Sequence, residues 1–317
     1  MIKNLLKCAL KILNKALKMK DKITPPLIAG IASSTLALIK LVFGLASGSV
    51  AVLSSAADSL SDTLISIINY FALKKSRSTP NARFNFGFGK LEALSALTQS
   101  LLIIAAGLFV AYSSIENFIR PRELNLGVGM LVMIISIIIT ACLVLYLRRA
   151  AIKYQSLIIR ADALNYEADL ITNVATLLAL LLVWISGFVI IDALFGLALS
   201  AYIIFKAGTL AKTSIYDLLD EALNQTEIQQ ILDIIKQKKE IINFHSFRTR
   251  KSGNINILSV HLEFVPDILL LNAHEVSKQI ENEIKSTFGE QKWIFEIHFD
   301  TDDDSADELY AENLALK

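Results

Sequence analysis

Ser55-Ala-Ala-Asp58-Ser-Leu-Ser-Asp62-Thr-Leu-Ile-Ser66-Ile-Ile-Asn69 decides the fold, because it sets two aspartates inside a run that is otherwise apolar and long enough to cross a bilayer. A carboxylate near the middle of a membrane helix costs about 2.5–3.5 kcal/mol on insertion scales, so a pair there marks a site by default. Ser55, Asp58, Asp62, Ser66 and Asn69 advance by three or four and so share one stripe of an α-helix. The stripe must face protein or water. At i and i+4 the two aspartates start about 5–6 Å apart, close enough to share a divalent cation. A stripe that merely packs helices together suits single Ser or Asn residues, but it suits two acids one turn apart poorly.

Composition points the same way: 54% hydrophobic and 19% charged residues in 317, with a mean hydropathy of +0.52. A soluble enzyme would be more polar. The net charge of +1 is uninformative, because basic and acidic residues are segregated along the chain. Nothing in it points to nucleic acid as a partner. Cys8 and Cys142 sit far apart in apolar settings and read as small buried hydrophobes, without a CxxC pattern or a disulfide framework.

Ahead of the first apolar run, residues 1–24 carry Lys3, Lys7, Lys11, Lys15 and Lys18 at helical spacing, with Leu6, Leu10, Leu13 and Leu17 opposite. This predicts a basic amphipathic helix on a membrane surface, serving either to attach to anionic lipid or to fix topology. A signal peptide would need an uninterrupted apolar core. Apolar runs follow at about 27–46, 50–73, 91–115, 126–147, 161–185 and 189–210, which predicts a six-helix transmembrane bundle over 25–212. Seven Lys and Arg residues precede the first span, five lie in Lys74–Lys90 and four in Arg148–Arg160, whereas the opposite side has only Arg120 and Arg122. By the positive-inside rule this is a multi-pass protein of the cell (inner) membrane with both termini cytoplasmic.

The fifth span opens Arg160-Ala-Asp-Ala-Leu-Asn165-Tyr-Glu-Ala-Asp169, in which Asn165 and Asp169 repeat the one-turn spacing of the second. The two spans run in opposite directions, and at 1.5 Å per residue Asp62 lies about 16 Å and Asp169 about 13 Å from their cytoplasmic ends. Asp58, Asp62, Asn165 and Asp169 can therefore form one site of three carboxylates and an amide oxygen. A divalent ion and protons would offset its charge.

After Lys212 the pattern changes. Residues 213–300 read as an α+β domain in the order αββαβ: a helix over Thr226–Lys239, strands over Ile241–Arg250 and Ile255–Val265 joined at Ser252-Gly253-Asn254, a helix over Asn272–Phe288 and a strand over Lys292–Asp300. Asn272-x-x-Glu275 predicts a capping-box-like start to the second helix. The acidic stretch 301–317 reads as a disordered tail. All four histidines of the chain, His245, His261, His274 and His298, fall in this domain, and His298 shares a strand face with Asp300. Imidazoles and a carboxylate so placed can converge on a zinc-like ion.

The pairs Asp58-Ser-Leu-Ser-Asp62 and Asn165-Tyr-Glu-Ala-Asp169 on the second and fifth of six spans resemble the transport site of the cation diffusion facilitator family, of the ferrous-iron and zinc efflux type. So does the loop Phe86-Gly-Phe-Gly-Lys90 with Glu92, and the resemblance runs from about Pro26 to Asp300. It implies a homodimeric exporter of divalent metal (Zn²⁺, Fe²⁺ or Mn²⁺) that exchanges cytoplasmic cation for external protons, with a ferredoxin-like cytoplasmic domain. It also implies that the four histidines and Asp300 are ligands of a binuclear cytoplasmic site. Finally, it implies that Lys90 and Asp220 form a salt bridge where the membrane and cytoplasmic halves meet.

Two departures from the family stand out. Asn81, Phe84 and Phe88 occupy loop positions where relatives carry an aspartate and two histidines that bind an additional metal, so that loop site is expected to be missing. Asn165 stands where zinc and cadmium exporters typically have histidine, which inclines the membrane site toward oxygen-preferring Mn²⁺ or Fe²⁺. Two other function classes compete. An intramembrane aspartyl protease would face two aspartates across two helices, one of them in Gly-x-Gly-Asp, and here the nearest string is Gly87-Phe-Gly-Lys90. A membrane-anchored metal sensor would not need intact polar pairs inside the membrane.

Overall fold

The computed structural model describes residues 24–47, 50–119, 129–186, 190–253, 255–289 and 291–300. The basic segment ahead of Thr24, including Cys8, the connection holding Arg120 and Arg122, and the acidic tail lie outside the described residues. The chain divides into two compact units between Ile215 and Tyr216.

The first unit is helical: α1 (Thr24–Ser47), α2 (Val50–Ser76), α3 (Leu91–Ile119), α4 (Gly129–Tyr154), α5 (Leu157–Ser186) and α6 (Ile190–Leu218). These match the six apolar runs, but α4 and α6 continue seven or eight residues beyond them. Hydropathy marks where a helix leaves hydrocarbon, whereas the backbone hydrogen-bond ladder continues through Arg148–Tyr154 and Ala211–Leu218, neither of which contains Gly or Pro to stop it. Among the described residues, Thr24–Phe43, Leu91–Glu116 and Leu194–Leu218 are each long and apolar enough to cross a membrane unaided.

α1 and α2 form an antiparallel hairpin, in which Thr63 Oγ1 donates to Ser33 Oγ at 3.0 Å and Gly30 lies against Ser66. Ile28, Leu73, Leu143, Leu147, Ile158 and Tyr166 bring α1, α2, α4 and α5 into one core. α3 and α6 meet at two glycines. A Cβ at Gly196 would overlap the Ser114 hydroxyl, and one at Gly107 would stand 2.8 Å from Ile204 Cγ1, which is the small-residue packing that membrane helices use in place of a hydrophobic drive. Large apolar side chains such as Leu64, Ile68, Phe71, Phe109 and Phe205 point outward, as a lipid-facing surface requires. Cys142 is exposed on α4, a correction to its reading as a buried hydrophobe, because in such a bundle an apolar residue is as well suited to the outside as to the core.

The second unit contains α7 (Gln225–Lys236), β1 (Ile241–Ser252), β2 (Ile255–Phe264), α8 (Leu270–Phe288) and β3 (Lys292–Asp300), in the expected αββαβ order. The sheet order is β1-β2-β3, with β1 antiparallel and β3 parallel to β2. Leu258, Val260, Leu262 and Phe264 of β2 bury one sheet face against Ile228, Ile231, Leu232 and Ile235 of α7 and Val276, Ile280 and Ile284 of α8. Period-2 alternation then sends His261 and Glu263 to the other face. The capping prediction fails at Asn272. The N-cap of α8 is Leu269, which makes no side-chain cap, and Asn272 N already donates to Leu269 O at 2.8 Å. The Asn-x-x-Glu cap belongs to α7 instead, where Asn224 Oδ1 accepts from Glu227 N at 2.9 Å.

Candidate metal sites

The polar stripe of α2 divides into two functional halves. Asp58 and Asp62, with Asp169 of α5, line a cavity of about 130 Å³ that also touches Lys40, Ser59 and Tyr166. Asn165 joins this group by donating from Nδ2 to Asp62 Oδ1 at 2.9 Å. All four membrane residues singled out in the sequence thus meet at the α2–α5 contact. Counted on the observed helices, Asp62 is about 21 Å from the Ser76 end of α2 and Asp169 about 18 Å from the Leu157 end of α5. Both are deeper than their apolar runs suggested, but their depths still match.

The other half of the stripe holds helices together. Ser66 and Tyr166 hydroxyls lie 3.0 Å apart, and Tyr166 donates to the Ala29 carbonyl at 3.4 Å. Asn69 donates to Gln99 Oε1 at 2.8 Å and Asp162 Oδ1 at 2.6 Å while accepting from Ser95 at 2.9 Å, so α2, α3 and α5 converge on one buried amide. Nearer the helix ends, buried Glu92 accepts from Ser76 at 3.3 Å and Ser156 at 2.7 Å, with Arg77 Nε at 3.7 Å. These contacts pair most of the polar atoms that would be costly in hydrocarbon, while Asp162 Oδ2 and Arg77 Nε are buried without a hydrogen bond.

Sequence reasoning missed Lys40, which is 8% exposed on α1 and donates from Nζ to Ser59 Oγ at 2.9 Å. The signal was present, since Lys40 is the only charged residue between Lys22 and Asp58. It also missed fully buried Asp162, whose hydrogen-bond partners come from two other helices.

The loop residues that depart from the family have local work. Asn81 Oδ1 accepts from Arg83 N at 3.0 Å and Phe84 N at 2.8 Å, while Phe84 and Phe88 pack with ring centroids 4.9 Å apart. Lys75 Nζ sits 4.1 Å above the Phe88 ring, a cation–π contact. Lys90 lies just before α3 in the first unit, and Asp220 lies in the second, with φ +60° and its Oδ2 3.2 Å from Arg250 Nη1.

In the second unit, strand pairing aligns His245 with His261 and His261 with His298. Three imidazoles therefore stand in one row across three strands, on the face away from the helices. One carboxylate serves them all: Asp300 Oδ2 lies 3.2 Å from His245 Nε2 and 3.2 Å from His261 Nδ1, and Oδ1 lies 3.0 Å from His298 Nε2. Donor atoms of His245, His261 and Asp300 lie within 4.8 Å of one another, so this donor set fits a zinc-like ion. His245 and Asp300 are buried, while the His298 side chain is 62% exposed. A bulge permits the row. Between His245 and Arg248 strand β1 carries one residue more than β2, and Ser246 takes φ +49° to absorb it, which puts Phe247 into the core without turning His245 inward. His274 stands apart, on the exposed flank of α8.

Comparison with known proteins follows this division. The family model described as the cation efflux transmembrane domain matches residues 27–219, and that of the cation efflux protein cytoplasmic domain matches 223–301. Proteins named cation-efflux pump FieF from Salmonella schwarzengrund (strain CVM19633), Salmonella agona (strain SL483) and Salmonella newport (strain SL254) are each 38% identical over 257 residues, covering 81% of this chain and 85% of theirs. The protease alternative falls, because both halves of the chain match a transporter family. With its carboxylate cavity in a helical membrane domain and its histidine row in a small cytoplasmic one, the chain belongs to the cation diffusion facilitator, or cation efflux, family of membrane transporters.

Proposed function

We propose that this transporter exports a divalent cation from the cytoplasm in exchange for protons, with Asp58, Asp62, Asn165 and Asp169 as the transport site. The observation that carries this is the Asn165–Asp62 hydrogen bond at a cavity shared with Asp58 and Asp169, since it joins two helices from distant parts of the chain at one oxygen-rich point. Such a donor set suits Mn²⁺ or Fe²⁺, with Zn²⁺ as the competing substrate. The name of the Salmonella relatives, cation-efflux pump, supports the outward direction.

The surrounding assignments belong to the same proposal. All six long helices span the inner membrane, both termini are cytoplasmic, and two copies form a homodimer, which the family of the cytoplasmic domain supports. The cytoplasmic domain is of ferredoxin-like type, and His245, His261, His298 and Asp300 would hold a zinc-like ion, with His274 as a further candidate ligand. That ion would cross-link β1, β2 and β3, while the protein's own part is to fix three imidazoles around one carboxylate.

The test is metal-driven proton release by the full-length protein in proteoliposomes, supplied in turn with Mn²⁺, Fe²⁺ and Zn²⁺. Wild type should release protons with at least one of them, and Asp62→Ala should abolish both metal uptake and proton release. Undiminished flux in Asp62→Ala would remove the proposed site.

A further inference from the structure

Lys40 is a charged residue in the middle of an apolar helix, and it enters the site from α1, a helix that supplies none of the proposed ligands. Its stem and ammonium are almost wholly buried, and Nζ donates to Ser59 Oγ at 2.9 Å, beside Asp58 in the chain. Lys40 lines the same cavity as Asp58, Asp62 and Asp169, and it is within electrostatic reach of all three carboxylates. A buried ammonium persists in hydrocarbon surroundings only where negative charge compensates it. Here the compensation is the acidic cluster itself.

Charge balance gives this placement a consequence. Metal ligands bind as carboxylates, so three aspartates bring three negative charges to a loaded site. One divalent cation cancels two of them, and the Lys40 ammonium cancels the third. We propose that Lys40 is a built-in counter-cation of the transport site, making the site neutral when it holds one divalent ion and weakening its grip on that ion enough for release. This deepens the proposed transport function and rests on that assignment of the site. A site without the lysine would keep one uncompensated negative charge around its cargo, and it would bind more tightly and release more slowly. With the lysine, the site is matched to a charge of two: a monovalent ion leaves it negative and a trivalent ion leaves it positive.

The discriminating variants are Lys40→Gln, which keeps a hydrogen-bond donor for Ser59 and removes only the charge, and Lys40→Arg, which keeps the charge. Zn²⁺ and Mn²⁺ binding to full-length protein would be measured by equilibrium dialysis in a His261→Ala background, so that the cytoplasmic cluster contributes little. Flux of the same ions would be measured in proteoliposomes. Lys40→Gln should lower Kd roughly ten-fold, because repulsion of the cargo is removed in a medium of low dielectric constant. KM and kcat should fall together, leaving kcat/KM nearly unchanged, while Lys40→Arg should retain the Kd of its parent. If Lys40→Gln leaves Kd unchanged or weakens binding, the counter-cation assignment is wrong. Lys40→Met replaces Gln if the Gln variant does not purify as a folded protein. Failure of both alongside a folded Arg variant would make the charge a requirement of folding and would overturn the proposal. Asp62→Ala in the same background separates the two levels: retained binding there refutes the site itself, and lost binding with an unaltered Lys40→Gln refutes only the role of Lys40.

Discussion

Asn165 is tethered by Asp62, with its amide nitrogen donating to the carboxylate at 2.9 Å. Its amide oxygen makes no part of that bond and is the atom that would bind a cation in the proposed site. Asn165→His replaces the oxygen with an imidazole nitrogen that suits Zn²⁺ and Cd²⁺. The flux ratio of Zn²⁺ to Mn²⁺ in proteoliposomes should rise roughly ten-fold on this change, and an unchanged ratio would put Asn165 outside the ligand set. The paired acids were legible in the sequence because carboxylates one turn apart in an apolar run have few structural uses. Lys40 was equally visible as a lone charge but was passed over, since a single lysine has no spacing pattern to flag it. The Asn69, Gln99 and Asp162 contacts could not be read, because they join three helices whose rotations about their own axes depend on the packed bundle.

The elements themselves were largely legible, and their irregularities were not. The αββαβ order follows from the switch between 3.6-residue and two-residue periods, but the bulge at Ser246 breaks alternation for one residue and leaves no compositional mark. Deleting Ser246 would restore the regular ladder, with Phe247 still facing the core and His245 still opposite His261. Zinc binding by the cytoplasmic site should then persist in equilibrium dialysis, whereas His245→Ala, which removes a donor, should weaken it about ten-fold or more. The helix start was misplaced at Asn272 because α8 begins two residues earlier, at Leu270, whereas the real cap at Asn224 predicts a loss of about 1 kcal/mol in Asn224→Ala. Thermal unfolding followed by circular dichroism would detect it. On the membrane side, Gly196→Leu would drive a branched side chain into Ser114 and separate α3 from α6. Loss of monodisperse protein in detergent is the expected outcome, and normal yield with normal flux would refute the close approach.

At the scale of the molecule, two units with different solvents share one chain. The membrane unit displays large apolar side chains outward, and the cytoplasmic unit keeps its own between one sheet face and two helices. Hydropathy falls after Lys212, and the two compact units divide between Ile215 and Tyr216. Metal bound to the folded cytoplasmic unit and not to its unfolded chain would stabilise it by about 2.7 kcal/mol at a free concentration one hundred times Kd. Adding EDTA should therefore lower the unfolding temperature of wild type and leave His261→Ala little changed. Equal responses in both proteins would make the histidine row structural. The contact of Asp220 with Arg250 was not legible, since it depends on where the β1 strand lies against the turn after α6.

Asp300 sits on the last strand, 39 residues beyond His261, yet it is the one group that all three imidazoles share. Because β3 runs parallel to β2, the chain must first cross over through α8 before this carboxylate reaches the row. At a synthesis rate of about 5–20 residues per second, the ribosome delivers Asp300 roughly 2–8 seconds after His261. A chain arrested before Lys292 carries two of the three histidines of the row and lacks the group that unites them. The proposed cytoplasmic site would therefore be complete only once β3 has been made, and a chain ending before it would lack the stabilisation that a bound metal confers.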